Sequence, residues 1–210
     1  YKARGAALEL WTDRSPEIVL SGPAGTGKSR ANLEKVHACL LRWPGARALI
    51  VRKTRESLSE TALVTYESKV LPEGSPIKEG AQRRVRQVYS YPNGSTIVVG
   101  GMDKATKIMS TEYDIIYPQE AIELTENDWE SLTTRLRNGV MPFQQIIGDT
   151  NPDAPSHWLK KRADAGRLKM IESRHEDNPI MWAGDDWTES GRKYIAKLDA
   201  LTGVRYLRLR

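Results

Sequence analysis

An apolar run, Glu17 to Ser21, leads directly into Gly22-Pro-Ala-Gly-Thr-Gly-Lys28-Ser29, and a helical periodicity then runs from Arg30 to Arg42 until Pro44-Gly45 stops it. Strand, glycine-rich loop and helix in that order constrain the fold more than any other part of the chain. Glycines let the loop backbone turn so that successive N–H groups point inward, and the helix start adds the positive end of its dipole. The spacing G-x-x-x-x-G-K-S is that of a phosphate-binding loop, with Gly22, Pro23, Ala24, Gly25, Thr26 and Gly27 wrapping the phosphates. Lys28 is then expected to reach the β- and γ-phosphates, and Ser29 to bind the Mg²⁺ that bridges them. A glycine-rich turn capped by Ser29 would account for the local fold but not for the lysine beside it. ATP and Mg²⁺ are the cofactors this spacing implies.

Arg47 to Val51 reads as the next strand and Glu56 to Val70 as a helix ending before Leu71-Pro72. That βαβ unit implies a parallel sheet buried on both faces. Two β-rich runs, Val88 to Tyr91 and Ser95 to Val99, flank Pro92-Asn93-Gly94, whose Asn-Gly is a hairpin signal. Tyr113 to Tyr117 and Gln144 to Gly148 read as further strands separated by a helix from Glu126 to Asn138. A helix at Ser156 to Ala165 and a strand at Leu168 to Ser173 continue the parallel order. The expected class is α/β: a P-loop NTPase whose mainly parallel central sheet is flanked by helices and carries a β-hairpin insertion. At 210 residues, one domain is the default.

Hydrophobic residues make up 39% and charged residues 28%, which is ordinary for a globular chain. No apolar run approaches the roughly 18 residues needed to span a bilayer, so no membrane partner and a cytosolic setting are expected. Cys39 falls on the apolar face of the first long helix and reads as core packing. His37, His157 and His175 are scattered, so any metal is expected to arrive with nucleotide. A net charge of +5 is compatible with a polyanionic partner. Arg83, Arg84 and Arg86 form one local basic cluster and Lys160, Lys161 and Arg162 another; each reads equally well as a solvated charged face.

An enzyme that hydrolyses a nucleotide on this scaffold also needs acid near Mg²⁺ and a carboxylate to orient the attacking water. Tyr113-Asp-Ile-Ile-Tyr-Pro-Gln119-Glu120-Ala121 is the best candidate, an apolar strand whose end carries Glu120 as the expected general base. Gln119 stands where an aspartate is usual. A neutral amide can hold a Mg²⁺-bound water but adds no negative charge. Asp114, at the start of the strand, reads as a strand-edge residue.

Taken in order, these residues resemble the large terminase subunit of tailed bacteriophages, the ATP-driven DNA packaging motor. The resemblance rests on Gly22 to Ser29, Val51-Arg-Lys-Thr-Arg-Glu-Ser-Leu58, Gln119-Glu-Ala121, Leu132 to Arg137, Gly148-Asp-Thr-Asn-Pro152, Ser156-His-Trp-Leu159 and Asp177-Asn-Pro179. It implies the additional-strand, catalytic-glutamate type of P-loop ATPase. Thr150 and Asn151 are similar to the coupling motif that senses the γ-phosphate, although Asn151-Pro152 also suits a turn and a helix cap. An arginine finger is implied, with Arg135 or Arg137 favoured over Lys104 and Lys107 because lysine is a poorer planar clamp. The implied partners are double-stranded DNA, a portal protein, the small terminase subunit and further copies in a ring, a pentamer, on the procapsid. The implied location is the host cell cytoplasm, transiently at the portal vertex. Val204 to Arg210 resembles the approach to a linker, and with no two-metal nuclease cluster in residues 1–210 the expectation is a motor domain that does not cut DNA. A helicase-like DNA-dependent ATPase and a nucleotide-binding assembly module with little hydrolysis are the alternatives.

Overall fold

The computed structural model describes residues 1–152, 154–203 and 206. The Lys107 side chain and, apart from Tyr206, the linker-like stretch from Val204 to Arg210 lie outside the described residues. Before the glycine-rich loop come α1 (Gly5–Thr12) and β1 (Glu17–Ser21), and after it α2 (Lys28–Arg42) and β2 (Arg47–Arg52). The expected helix from Glu56 to Val70 is broken into α3 (Arg55–Glu60), α4 (Ala62–Thr65) and a π-helical turn at Tyr66–Val70. The break falls at Thr61, whose backbone leaves the helical region and whose hydroxyl bonds the Ser57 carbonyl at 2.7 Å. A β-branched residue that bonds its own preceding turn in this way competes with the regular ladder.

The Asn-Gly turn joins β3 (Val88–Ser90) to β4 (Thr96–Gly101). There follow α5 (Ala105–Ile108), β5 (Ile115–Pro118), α6 (Glu126–Thr133), β6 (Gln145–Thr150), α7 (Trp158–Asp164) and β7 (Lys169–Glu172). A two-stranded ribbon, β8 (Trp182–Ala183) with β9 (Asp186–Trp187), leads to α8 (Glu189–Asp199). The helix expected to reach Asn138 stops at Thr133, because Leu136 instead forms a parallel bridge with Tyr113. The Thr125 hydroxyl and the Asp128 carboxylate close the start of α6 as a reciprocal capping box.

Seven strands form one sheet in the order β3-β4-β2-β5-β6-β1-β7. All its neighbours pair in parallel except β3, which folds back antiparallel on β4 as the edge. The central strands are apolar on both faces because both are covered. Ile18, Leu20, Ile50, Tyr117 and Ile147 pack in one buried cluster with Leu33, Val36, Leu40 and Tyr66. Val19, Leu49, Val51, Ile116 and Ile146 face the other, with Trp129, Leu132 and Leu159. Cys39 is buried in the first cluster. β6 lies between β1 and β5, and its register sets Asp149 beside Leu20 and Thr150 beside Ser21. One strand therefore separates the strand that feeds the glycine-rich loop from the strand that ends in Glu120.

Candidate functional site

At the carboxyl end of β1 the chain turns sharply through residues that only glycine tolerates. A Cβ on Gly22 would stand 2.0 Å from the Ser173 carbonyl oxygen, and Gly27 holds φ at 92° where α2 begins. No side chain caps that helix start, so its first N–H groups are left to an anion. A cleft of about 540 Å³ opens over the loop, lined by Ala24 to Ala31 and by Glu120, Asn151 and Asn178.

Lys28 is buried, and its ammonium donates to the carbonyls of Gly22 at 2.7 Å and Pro23 at 2.6 Å and to Asn151 Oδ1 at 3.3 Å. Burial pulls its pKa down, opposed by the charges of Asp149 and Glu120. Held by two carbonyls, the Thr26 hydroxyl and one amide, the ammonium has no ion-pair partner in direct contact among the described residues, which suits it to an anion. Thr150 is the buried last residue of β6 and Asn151 follows it, and the Thr150 carbonyl accepts from the Gly22 N–H at 3.3 Å.

Glu120 is brought into the cleft at the end of β5, in the left-handed region at φ 50° and ψ 59°. It is the described non-glycine residue with a positive φ, a conformation that costs about 1–2 kcal/mol away from glycine. Its carboxyl is pushed up, first by burial and then by the neighbouring Asp149.

Gln119 is placed differently from expectation. Its side-chain amide hydrogen-bonds the Thr61 hydroxyl at 2.7 Å, under the α3–α4 break, and does not line the cleft. The acid beside Ser29 is Asp149, whose Oδ2 accepts from Ser29 Oγ at 2.5 Å and from the Tyr117 hydroxyl at 2.8 Å. Its Oδ1 accepts from the Glu120 N–H at 2.9 Å. Sequence reasoning passed over this residue inside Gly148-Asp-Thr-Asn-Pro152. The available signal was a single carboxylate within an otherwise uncharged buried strand, two residues before Asn151.

Arg135 and Arg137 lie away from the loop, next to the amino end of β5. The Arg135 carbonyl accepts from the Tyr113 N–H, its guanidinium donates to Met109 O at 3.0 Å, and Arg137 pairs with Glu112 at 2.8 Å. The phosphate loop sits at the opposite end of these parallel strands, so neither arginine shares a cleft with Lys28. Nearer the site, Arg52 at the end of β2 is held by Glu123 through two contacts, at 2.9 and 2.6 Å.

One arginine of each basic cluster has a structural role. Arg86 is buried and donates to the carbonyls of Ile77, Lys78 and Glu79. Arg162 is buried among Glu17, Glu126 and Glu130. Asp114 is buried too, accepting from the N–H groups of Arg47, Val140 and Met141 and from the Asn138 amide.

A segment distant in sequence ties the loop down from outside. Ser173 Oγ donates to Thr26 Oγ1 at 2.9 Å, and Asn178 Nδ2 to Gly25 O at 2.6 Å. The Ala24 carbonyl meets both His175 Nε2 at 3.1 Å and the Tyr194 hydroxyl at 3.2 Å.

A parallel sheet with the phosphate loop on one strand, an acid two strands away and a polar strand end between them defines a P-loop NTPase of the additional-strand type. The family model described as phage terminase large subunit matches residues 15–186. This chain belongs to the phage terminase large subunit family. No curated protein matches. Among solved structures, the large terminase from a thermophilic bacteriophage, in complex with ADP, is similar at a TM-score of 0.76 and 15% identity, over 99% of this chain and 52% of that one. The Thermus phage P74-26 large terminase ATPase domain is similar at a TM-score of 0.65 and 16% identity, over 99% of this chain and 92% of that domain. The HK97 bacteriophage large terminase is similar at 0.58 and 12%, over 97% of this chain and 47% of that one. Likeness at these identities shows the fold, and the chain spans about half the length of the ADP-bound thermophilic phage enzyme. Among the described residues no helix is long and apolar enough to cross a membrane.

Proposed function

We propose that this chain is the ATPase domain of a phage packaging motor, hydrolysing ATP to drive double-stranded DNA into a procapsid. The observation that carries this reading is the convergence of Lys28 and Ser29, at the start of α2, with Glu120, at the end of β5, on one cleft. Loop N–H groups and Lys28 receive the β- and γ-phosphates, with Lys28 exchanging carbonyl partners for phosphate oxygens. The Ser29 hydroxyl beside a buried carboxylate oxygen is the hard oxygen set that fits Mg²⁺, and Ser29 would hold it. When bound, the cation neutralises charge on the phosphate oxygens. Glu120 orients a water for in-line attack on the γ-phosphate and accepts its proton.

Asn151, which accepts from Lys28, registers the γ-phosphate when Lys28 turns to it, with Thr150 alongside. Arg135 and Arg137, lying next to the far end of β5, act as a finger only towards the site of a neighbouring subunit. On this reading the subunits form a homo-oligomeric ring, a pentamer, docked on the portal protein, with DNA delivered by the small terminase subunit. The host cytoplasm and the procapsid portal vertex are the corresponding locations.

The test is Glu120→Gln, assayed for nucleotide binding and for phosphate release with and without double-stranded DNA. Turnover is expected to fall by at least about 100-fold, the usual scale for a positioned general base, with nucleotide affinity kept. Unchanged steady-state ATPase activity would sink the assignment.

A further inference from the structure

The geometry points to Asp149 as the positioning carboxylate that seats the nucleotide-bound divalent cation through Ser29, in place of any side chain at position 119. This rests on the nucleotide-site reading above and adds to it the residue that supplies the missing charge.

A serine hydroxyl that gives a lone pair to a cation still carries a proton, and that proton needs an acceptor. Ser29 Oγ donates to Asp149 Oδ2 at 2.5 Å. The bond fixes the hydroxyl rotor with its lone pairs free and sets a full negative charge next to the cation seat. Gln119 does neither, since its amide is engaged by Thr61 and is absent from the cleft lining. The positions are related by the sheet: β6 is the neighbour of β1, and its register sets Asp149 beside Leu20, just ahead of the loop. A carboxylate on β6 therefore reaches Ser29 directly. Position 119, just past the end of β5 and one strand further away, reaches towards Thr61.

The other oxygen of the same carboxylate accepts from the Glu120 N–H at 2.9 Å. That bond holds the peptide of a left-handed residue whose side chain is the proposed base. One side chain thus joins the cation seat to the group that orients water, and loss of its charge disturbs both. The Tyr117 hydroxyl, donating to Oδ2 at 2.8 Å, fixes the carboxylate plane. All three partners tolerate an asparagine: Oδ1 still accepts from Glu120, and the two hydroxyls can turn to accept from the amide. Asp149→Asn is therefore a charge change with little change of shape.

The experiment measures the affinity of the chain for a fluorescent ADP analogue with excess Mg²⁺ and with EDTA, for wild type, Asp149→Asn and Gln119→Ala. Wild type is expected to bind more tightly with Mg²⁺. Asp149→Asn keeps the EDTA affinity within about twofold and loses about 10- to 100-fold of the Mg²⁺ enhancement, the usual cost of removing a group that orients a metal ligand. Gln119→Ala keeps the enhancement. An enhancement in Asp149→Asn equal to that of wild type overturns the assignment, even if the variant is less stable, because a purely structural role moves the melting temperature and not the metal dependence. A larger loss in Gln119→Ala than in Asp149→Asn overturns it as well.

On the unmodified chain, Mn²⁺ with ADP supplies a measurement that no folding defect can spoil: paramagnetic broadening of the Asp149 ¹³Cγ resonance is expected at lower Mn²⁺ than that of Gln119 ¹³Cδ. The reverse order overturns the assignment. Wild type that binds no nucleotide at all overturns the parent reading, a result distinct from nucleotide binding with an unaltered metal dependence in Asp149→Asn.

Discussion

Glu120 gives the sharpest test of the site, because its backbone and its carboxylate make opposite demands. At φ 50° and ψ 59° its Cβ crowds the carbonyl oxygen, at a cost of about 1–2 kcal/mol for a residue other than glycine. Two hydrogen bonds hold the conformation, Glu120 N–H to Asp149 at 2.9 Å and Glu123 N–H to the Glu120 carbonyl at 2.9 Å. Glu120→Ala keeps the crowding and removes the carboxylate; Glu120→Gly removes both. Glycine loses about 0.5–1 kcal/mol more backbone entropy on folding, so the Gly variant is expected to exceed the Ala variant by about 0.5–1 kcal/mol. At an ordinary position the order is reversed. For a chain of this length that difference is about 1–4 °C in Tm, readable by scanning calorimetry with Glu120→Gln as the reference that keeps both shape and crowding. All three variants are expected to lack turnover. An Ala variant more stable than the Gly variant would mean that residue 120 is not held in the left-handed region, and the positioning of the base by strain would fall with it.

Arg162→Met leaves the half-buried Glu17 without its cation, since Arg162 meets it at 2.7 and 2.8 Å. A loss of about 3–5 kcal/mol is expected in urea unfolding, most of it recovered by adding Glu17→Met; a loss below about 1 kcal/mol would contradict the buried pair. Burial holds the Lys35 ammonium down at about 8 and pushes the Cys39 thiol up to about 11. Between pH 8 and 9 the folded chain has shed a proton that the unfolded lysine keeps, so stability is expected to rise with pH, by up to about 1.4 kcal/mol per unit. Above pH 9 the unfolded thiol ionises while the folded one does not, and the slope should vanish; denaturant midpoints across pH 7.5 to 10 check both signs. Because the Glu120 carboxyl is raised and acts as its base form, ATPase rate should climb with pH through a midpoint above the ordinary carboxylate range, and a flat acid limb would contradict its role.

The phosphate loop and the parallel order of the sheet were legible because both are written locally. Gly22 to Ser29 needs only its own spacing, and strands such as Ile18-Val19-Leu20 announce burial on two faces by being apolar throughout. The breaks in the helices were less legible because they are tertiary. Thr61 ends α3 while bonding Gln119, which lies 58 residues away, and Leu136 leaves the helical path to bridge Tyr113. α1 and α8 went unread: α8 buries only Gly191, Ile195 and Leu198, a stripe too thin to stand out from its polar neighbours, while α1 is short and carries apolar Leu8 and Trp11 beside the buried Ala6, Ala7 and Leu10, so it shows no clear periodicity. Within the site, Lys28, Ser29 and Glu120 follow from motif spacing. Asp149 does not, since its meaning comes from β6 lying between β1 and β5, a neighbourhood that only the folded sheet specifies.

The clamp on the loop sets a direction for mechanical traffic. Ala24 and Gly25 present their carbonyls to His175, Asn178 and Tyr194, so the loop backbone is tied to that segment. Any shift of the loop between filled and empty states must either break these bonds or carry the segment from His175 to α8 along with it. Tyr194 is 170 residues from Ala24 in sequence and one hydrogen bond from it in space. The cleft over the glycine-rich loop is in this sense tied to α8, so a change in the shape of the loop would be felt at that helix.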